Sequence, residues 1–103
     1  RLHWAVKSKW TNAWKEEVSN QVMLNRKGIK LPFKQAVITI TLFTARLMDY
    51  DGAYGSVKPL LDGLVGAGVI RDDSPKYIDL EVKQTKVKHI IEQKVTILIK
   101  EKL

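Results

Sequence analysis

Asp49 and Asp51 flank Tyr50, and Asp72 and Asp73 stand side by side further along the chain, with Lys58 between the two pairs. Carboxylate oxygens are the ligands a hard cation such as Mg²⁺ takes, typically one or two, with waters and substrate phosphate completing the shell. Acids in two turns suit one or two such ions. Ions of that kind bridge a scissile phosphate, activate water and neutralise a leaving alkoxide. Lys58, at the start of a predicted helix, would offer a point charge to a developing oxyanion, helped by the helix N-terminus. Spacing alone leaves a plainer reading open. Asp51 with Gly52, and Asp73 with Ser74 and Pro75, are also ordinary turn sequences, and Lys58 would then be solvated.

Other chemistries are poorly supplied. The chain has no cysteine, which excludes disulfides, thiolate catalysis and cysteine-held zinc or iron–sulfur centres. Its two histidines, His3 and His89, are isolated and lie near no nucleophile-elbow pattern, so each reads as a surface or packing residue. The run GLVGAG at 63–68 falls at a helix C-terminus rather than after a strand, and is discarded as a phosphate cradle.

Charge is unevenly spread. Residues 1–48 carry nine Lys/Arg against Glu16 and Glu17, residues 49–81 three against seven acids, and residues 82–103 six Lys against Glu92 and Glu101. The segments are therefore +7, −4 and +4, summing to the overall +7. A basic body favours polyanions such as nucleic acid or an anionic membrane surface, although a solvated lysine-rich surface has the same composition. Carboxylates concentrated where the partner is anionic make sense mainly if a cation sits between them. The 103 residues suit one domain, and area scaling lets such a chain bury about two-thirds of its surface. Its apolar runs fall short of the ~18 residues a membrane span needs.

These residues need a scaffold. Trp10, Trp14 and Val18 recur every four residues with Ala13 and Val22 beside them, predicting a helix to about 25, capped by Thr11 or Asn12. The tryptophans read as core rather than as a base-stacking platform. Residues 36–43 alternate and are β-branched, predicting a central strand. A loop over 45–55 then carries Asp49 and Asp51. A second helix is expected over 56–67, with Pro59 in its first turn and Gly66 and Gly68 ending it. Residues 77–86 predict a half-exposed strand and 93–100 the last strand, joined through 87–92 as a hairpin. The fold class is α+β, a small mixed β-sheet with two helices packed on one face.

The ordered pattern Asp49-Tyr-Asp51-Gly52, Gly55-Ser-Val-Lys58-Pro-Leu-Leu-Asp62-Gly-Leu and Ala67-Gly68-Val-Ile-Arg-Asp72-Asp73-Ser74 resembles the RusA family of Holliday-junction resolvases. The likeness covers residues 49–75 closely and reaches the first helix weakly. It implies a RusA-like fold and a homodimeric, Mg²⁺-dependent endonuclease that nicks opposite strands of four-way junction DNA; whether Mg²⁺ or Mn²⁺ serves is not written in the sequence. It also implies that Asp49, Asp51, Lys58 and Asp73 are catalytic, that Asp49, Asp51, Asp73 and Asp72 hold metal, and that Asp62 is structural. Two departures stand out: Gly52 where members often carry Asn, and a longer stretch from Asp51 to Lys58, as in phage-like members. The family's N-terminal strand would precede Arg1, so residues 1–103 are expected to form a single domain lacking it.

On that reading two cuts need two sites, which a twofold dimer brings to a twofold junction. Lys7, Lys9, Lys15, Arg26, Lys27 and Lys30 would hold phosphates, with Lys83, Lys86 and Lys88 as a second patch. Ile90 and Ile91 are candidate dimer contacts. No membrane partner is expected, and the setting would be cytoplasmic, bacterial or phage. The alternatives are a non-catalytic nucleic-acid-binding module with a degenerate acidic site, and a protein-interaction domain.

Overall fold

The computed structural model describes residues 2–9, 14–25 and 29–102, with side chains throughout except at residues 2–9, 14, 15, 18 and 25. Four strands form one mixed sheet: β1 (Leu2–Lys9), β2 (Ala36–Thr44), β3 (Ile78–Lys86) and β4 (Lys94–Glu101), in the order β1-β4-β2-β3. β2 runs parallel to β3 and antiparallel to β4, and β1 is antiparallel to β4. Among the described residues three α-helices pack with it: α1 (Trp14–Asn25), α2 (Tyr50–Ser56) and α3 (Lys58–Gly66). The α+β class and the mixed sheet follow from the alternation and helical spacing of the sequence.

Alternation sets the layers. Along β2 every second residue (Ala36, Ile38, Ile40, Leu42, Thr44) is buried, and the register places Ile38, Ile40 and Leu42 opposite Ile99, Ile97 and Val95 of β4. This face forms the core with Val22 of α1, Val57, and Leu60, Leu61 and Leu64 of α3. Each such aliphatic side chain contributes about 1.5–3 kcal/mol when fully withdrawn from water.

Three sequence expectations are corrected. Residues 2–9, for which the sequence predicts no element, form edge strand β1. The predicted helix over 56–67 is α3, but an additional short helix, α2, replaces most of the predicted loop. Pro59 explains the break between them. It has no N–H to continue an α2 ladder, and it sits in the first turn of α3, where none is needed. Thirdly, β3 and β4 do not form a hairpin. They lie on opposite sides of β2, so residues 87–93 pass across the end of that strand. Val87 N–H donates to Thr44 O at 2.9 Å, and Ala45 N–H to the Gln93 side chain at 3.1 Å. A one-turn 3₁₀ helix, Ile90–Glu92, fills the link, with His89 N–H bonded to Glu92 at 3.0 Å.

α3 ends in a Schellman motif. Val69 N–H donates to Leu64 O at 3.0 Å and Gly68 N–H to Val65 O at 3.1 Å. Gly68 has φ +79°, the left-handed conformation glycine adopts without penalty. The chain is thereby turned so that Ile70 bridges Phe33, with Phe33 N–H on Val69 O at 2.9 Å. This delivers the turn carrying Asp72 and Asp73. Among the described residues no helix is long and apolar enough to cross a membrane.

Candidate functional site

Asp49 is the N-cap of α2. Its backbone is extended (φ −67°, ψ 170°), and its Oδ1 accepts from Gly52 N–H at 2.7 Å, satisfying one of the helix's free donors. Glycine leaves room for this contact: a Cβ at position 52 would lie 2.6 Å from that oxygen and displace it. Asp51 lies exposed in the first turn of α2, where a negative charge complements the helix dipole.

A residue not singled out from the sequence fixes this acidic corner. Gln84 of β3 holds Met48 by both backbone groups: its Oε1 accepts from Met48 N–H at 2.8 Å, and its Nε2 donates to Met48 O at 2.9 Å. Its signal was present in the alternation. Ile78, Leu80 and Val82 mark the inward positions of β3, and Gln84 continues that series as a polar residue. A second tie comes from Tyr54, whose hydroxyl accepts from Val82 N–H at 3.4 Å and from the Tyr50 hydroxyl at 3.2 Å. The Tyr50 proton is bound in that hydrogen bond, which raises its pKa.

Lys58 opens α3 and bonds the Asp73 carboxylate, while Asp62 Oδ1, one turn on, lies 3.7 Å from its ammonium. The hydrogen bond from Lys58 holds the Asp73 carboxyl below its ordinary value, and the same bond raises the Lys58 pKa. Lys58 is therefore a fixed positive charge at neutral pH and no proton acceptor. Asp72 is exposed beside Asp73.

The structure thus joins Lys58, Asp73 and Asp62, and sets Asp49 and Asp51 at the other end of α2, about 10 Å of helix away. Among the described residues no three acidic or histidine side chains gather closely enough to share an ion. In kind the donors nevertheless fit a hard divalent cation. They are all carboxylate oxygens, and Asp49 has a second oxygen beyond the one its cap uses. Mg²⁺ is commonly held by one or two carboxylates with water and phosphate, so a closed cage is not required.

Of the expected phosphate contacts, Lys30 is exposed. Arg26, Lys27 and the side chains of Lys7, Lys9 and Lys15 lie outside the described residues, as do Trp10, Thr11, Asn12 and the His3 and Trp14 side chains. In the second patch Lys86 and Lys88 are exposed and Lys83 lies 3.7 Å from Glu81. His89 is spent on capping the 3₁₀ turn. Ile90 and Ile91 are exposed at its tip. Neither a protein-family model nor a curated protein matches the chain.

Proposed function

We propose that the protein is a Mg²⁺- or Mn²⁺-dependent, structure-selective DNA endonuclease that resolves Holliday junctions by paired symmetric nicks, as its resemblance to RusA resolvases implies. The observation that carries this reading is the bond from Lys58 to Asp73 across fifteen residues of sequence. It draws the turn after α3 to the helix that follows the first acidic pair. An arrangement of solvated turn residues has no need of that convergence.

The reaction replaces one P–O bond of a phosphodiester with a P–O bond to water, leaving a phosphate monoester and a hydroxyl. Asp49, Asp51, Asp72 and Asp73 are the groups that would hold the metal. When bound, such an ion supplies Lewis acidity, lowering the pKa of water and offsetting phosphate charge. Lys58 contributes a permanently charged ammonium toward developing negative charge on the phosphate oxygens. Asp73 orients that ammonium, and Asp62 adds a second, weaker hold. Gln84 fixes the backbone entering the acidic corner, so that Asp49 and Asp51 are presented from a rigid start of α2.

Paired nicks on a four-way junction call for two sites, hence a homodimer, and DNA as substrate suits a bacterial or phage cytoplasm. The test is cleavage of a labelled four-way junction and a matched linear duplex, with Mg²⁺ or with EDTA, alongside Asp51→Asn. Paired, metal-dependent nicks confined to the junction and lost in the variant are expected. Junction binding without cleavage by either protein would replace the enzyme with a non-catalytic nucleic-acid-binding module. One observation favours that second reading: an oxygen of Asp49 is already engaged, by Gly52 N–H.

A further inference from the structure

Beside the acidic turn lies a concavity that neither the acids nor the expected basic patches account for. One cavity of about 320 Å³ is lined by Lys34, Gln35, Arg71, Lys76 and Tyr77. An adjoining one of about 450 Å³ shares Lys34 and Arg71 and adds Lys30 and Glu101 among its walls. The cations come from two separate stretches of chain, 30–34 and 71–76, and hydrogen bonds to the backbone assemble them. The Phe33–Ile70 bridge sets Lys34 alongside Arg71. Ala36 N–H on Tyr77 O at 3.0 Å, and the Gln35 side chain on Lys76 O at 3.2 Å, bring in the turn that carries Lys76.

Little of their charge is offset internally: Lys76 Nζ lies 5.5 Å from the centroid of the Tyr77 ring, a contact that leaves its net charge in place. Among the described residues Lys58, Lys83 and Lys102 are in ion pairs, whereas Lys30, Lys34, Arg71 and Lys76 are in none. Glu101 lies on the wall of the second cavity and not of the first. Gathering like charges around a concavity is unfavourable unless an anion offsets them, and a planar guanidinium beside two ammonium groups suits phosphate oxygens. We propose that Lys34, Arg71 and Lys76 form a phosphate-binding cleft. Its natural source, resting on the nuclease reading, is the backbone of a DNA strand running past the acidic turn. Arg71 and Lys76 bracket Asp72 and Asp73 in sequence, so the strand is held within one turn of the carboxylates.

The test titrates inorganic phosphate into ¹⁵N-labelled protein and follows backbone amides. Saturable shifts confined to residues around 34–35, 71 and 76–77 are expected. Lys34→Gln/Arg71→Gln weakens them about tenfold or more, as loss of charge-assisted contacts requires. Arg46→Gln/Lys94→Gln, which removes equal charge at the other end of β2, leaves them unchanged. Small shifts spread over all surface lysines, or shifts that survive the first variant, overturn the cleft. A second arm measures junction affinity against salt in EDTA. A slope shallower by about 2 in Lys34→Gln/Arg71→Gln assigns the phosphate to DNA. Junction binding with an unchanged slope overturns the DNA source while leaving the nuclease reading standing. Local phosphate shifts in a wild-type protein that binds no DNA support the cleft as a free-phosphate site and overturn the nuclease reading instead.

Discussion

Gly52 and Asp49 form a two-residue device whose coupling can be measured directly. Replacing Gly52 by Ala puts a methyl carbon 2.6 Å from Asp49 Oδ1, against the 3.4 Å or more of an ordinary contact. The oxygen must therefore withdraw by several tenths of an ångström, and its 2.7 Å bond to the position-52 N–H is lost. Loss of such a cap costs about 1 kcal/mol. Alanine in place of glycine inside a helix returns about as much. The two terms nearly cancel, so Gly52→Ala by itself should hardly change stability. The double-mutant cycle separates them. Asp49→Ala is expected to cost about 1 kcal/mol in the wild type and about zero in the Gly52→Ala background. Urea unfolding of the four proteins, compared at a common m-value, reads the difference. Costs that add to within about 0.5 kcal/mol would refute the cap as the reason for glycine here.

Gln84→Ala leaves Met48 N–H and O without their partners and should destabilise by about 2 kcal/mol, from the shift of the urea midpoint. If the acidic corner is catalytic, it should also lower the nicking rate under conditions where the variant remains folded. Asp51→Asn should abolish nicking while leaving thermal stability and junction affinity in EDTA near wild type, because Asp51 is exposed. For Asp73 the folded pKa is depressed, so its bond stabilises above the ordinary value of 3.8 and is lost as pH falls through the lower folded value. Lys58 is raised above 10.5, so its share is complete below that pH and fades as pH rises through the higher folded value. Urea midpoints of wild type and Asp73→Asn should therefore differ by a constant amount near neutrality and converge in strong acid. A constant gap down to pH 2 would show that the Lys58 bond contributes nothing.

Strand positions were readable because a sheet with one buried face writes its period into the residues. Ile38, Ile40 and Leu42, and likewise Val95, Ile97 and Ile99, alternate with half-exposed or exposed neighbours. Order within the sheet is not written in that way. Alternation in β3 and β4 is the same whether they pair with each other or flank β2, which is why a hairpin was expected. The helix with Pro59 was legible from its leucines. α2 was not, since two glycines in GAYGS lower its helical propensity, and Asp49, Gln84 and Tyr54 anchor it. Four acids and one lysine could be named as a set from the sequence. Which of them meet depended on the Gly68 turn and the Phe33–Ile70 bridge, and these bring Lys58 to Asp73 rather than to Asp49.

The position of β4 has a consequence for how the protein is made. The last of the four described strands in sequence order occupies an interior place, between β1 and β2. Until residues 94–101 leave the ribosome, β1 has no strand to pair with, and one side of β2 presents unmet backbone groups and bare isoleucines. The β2–β3 unit can form during synthesis; the complete sheet cannot. Pairing Leu2 with Lys100 joins residues far apart in sequence, a long-range contact of the kind that slows folding. The nascent chain therefore passes through an interval in which its adhesive strands are exposed, and expression at low temperature or with chaperone support should raise its soluble yield.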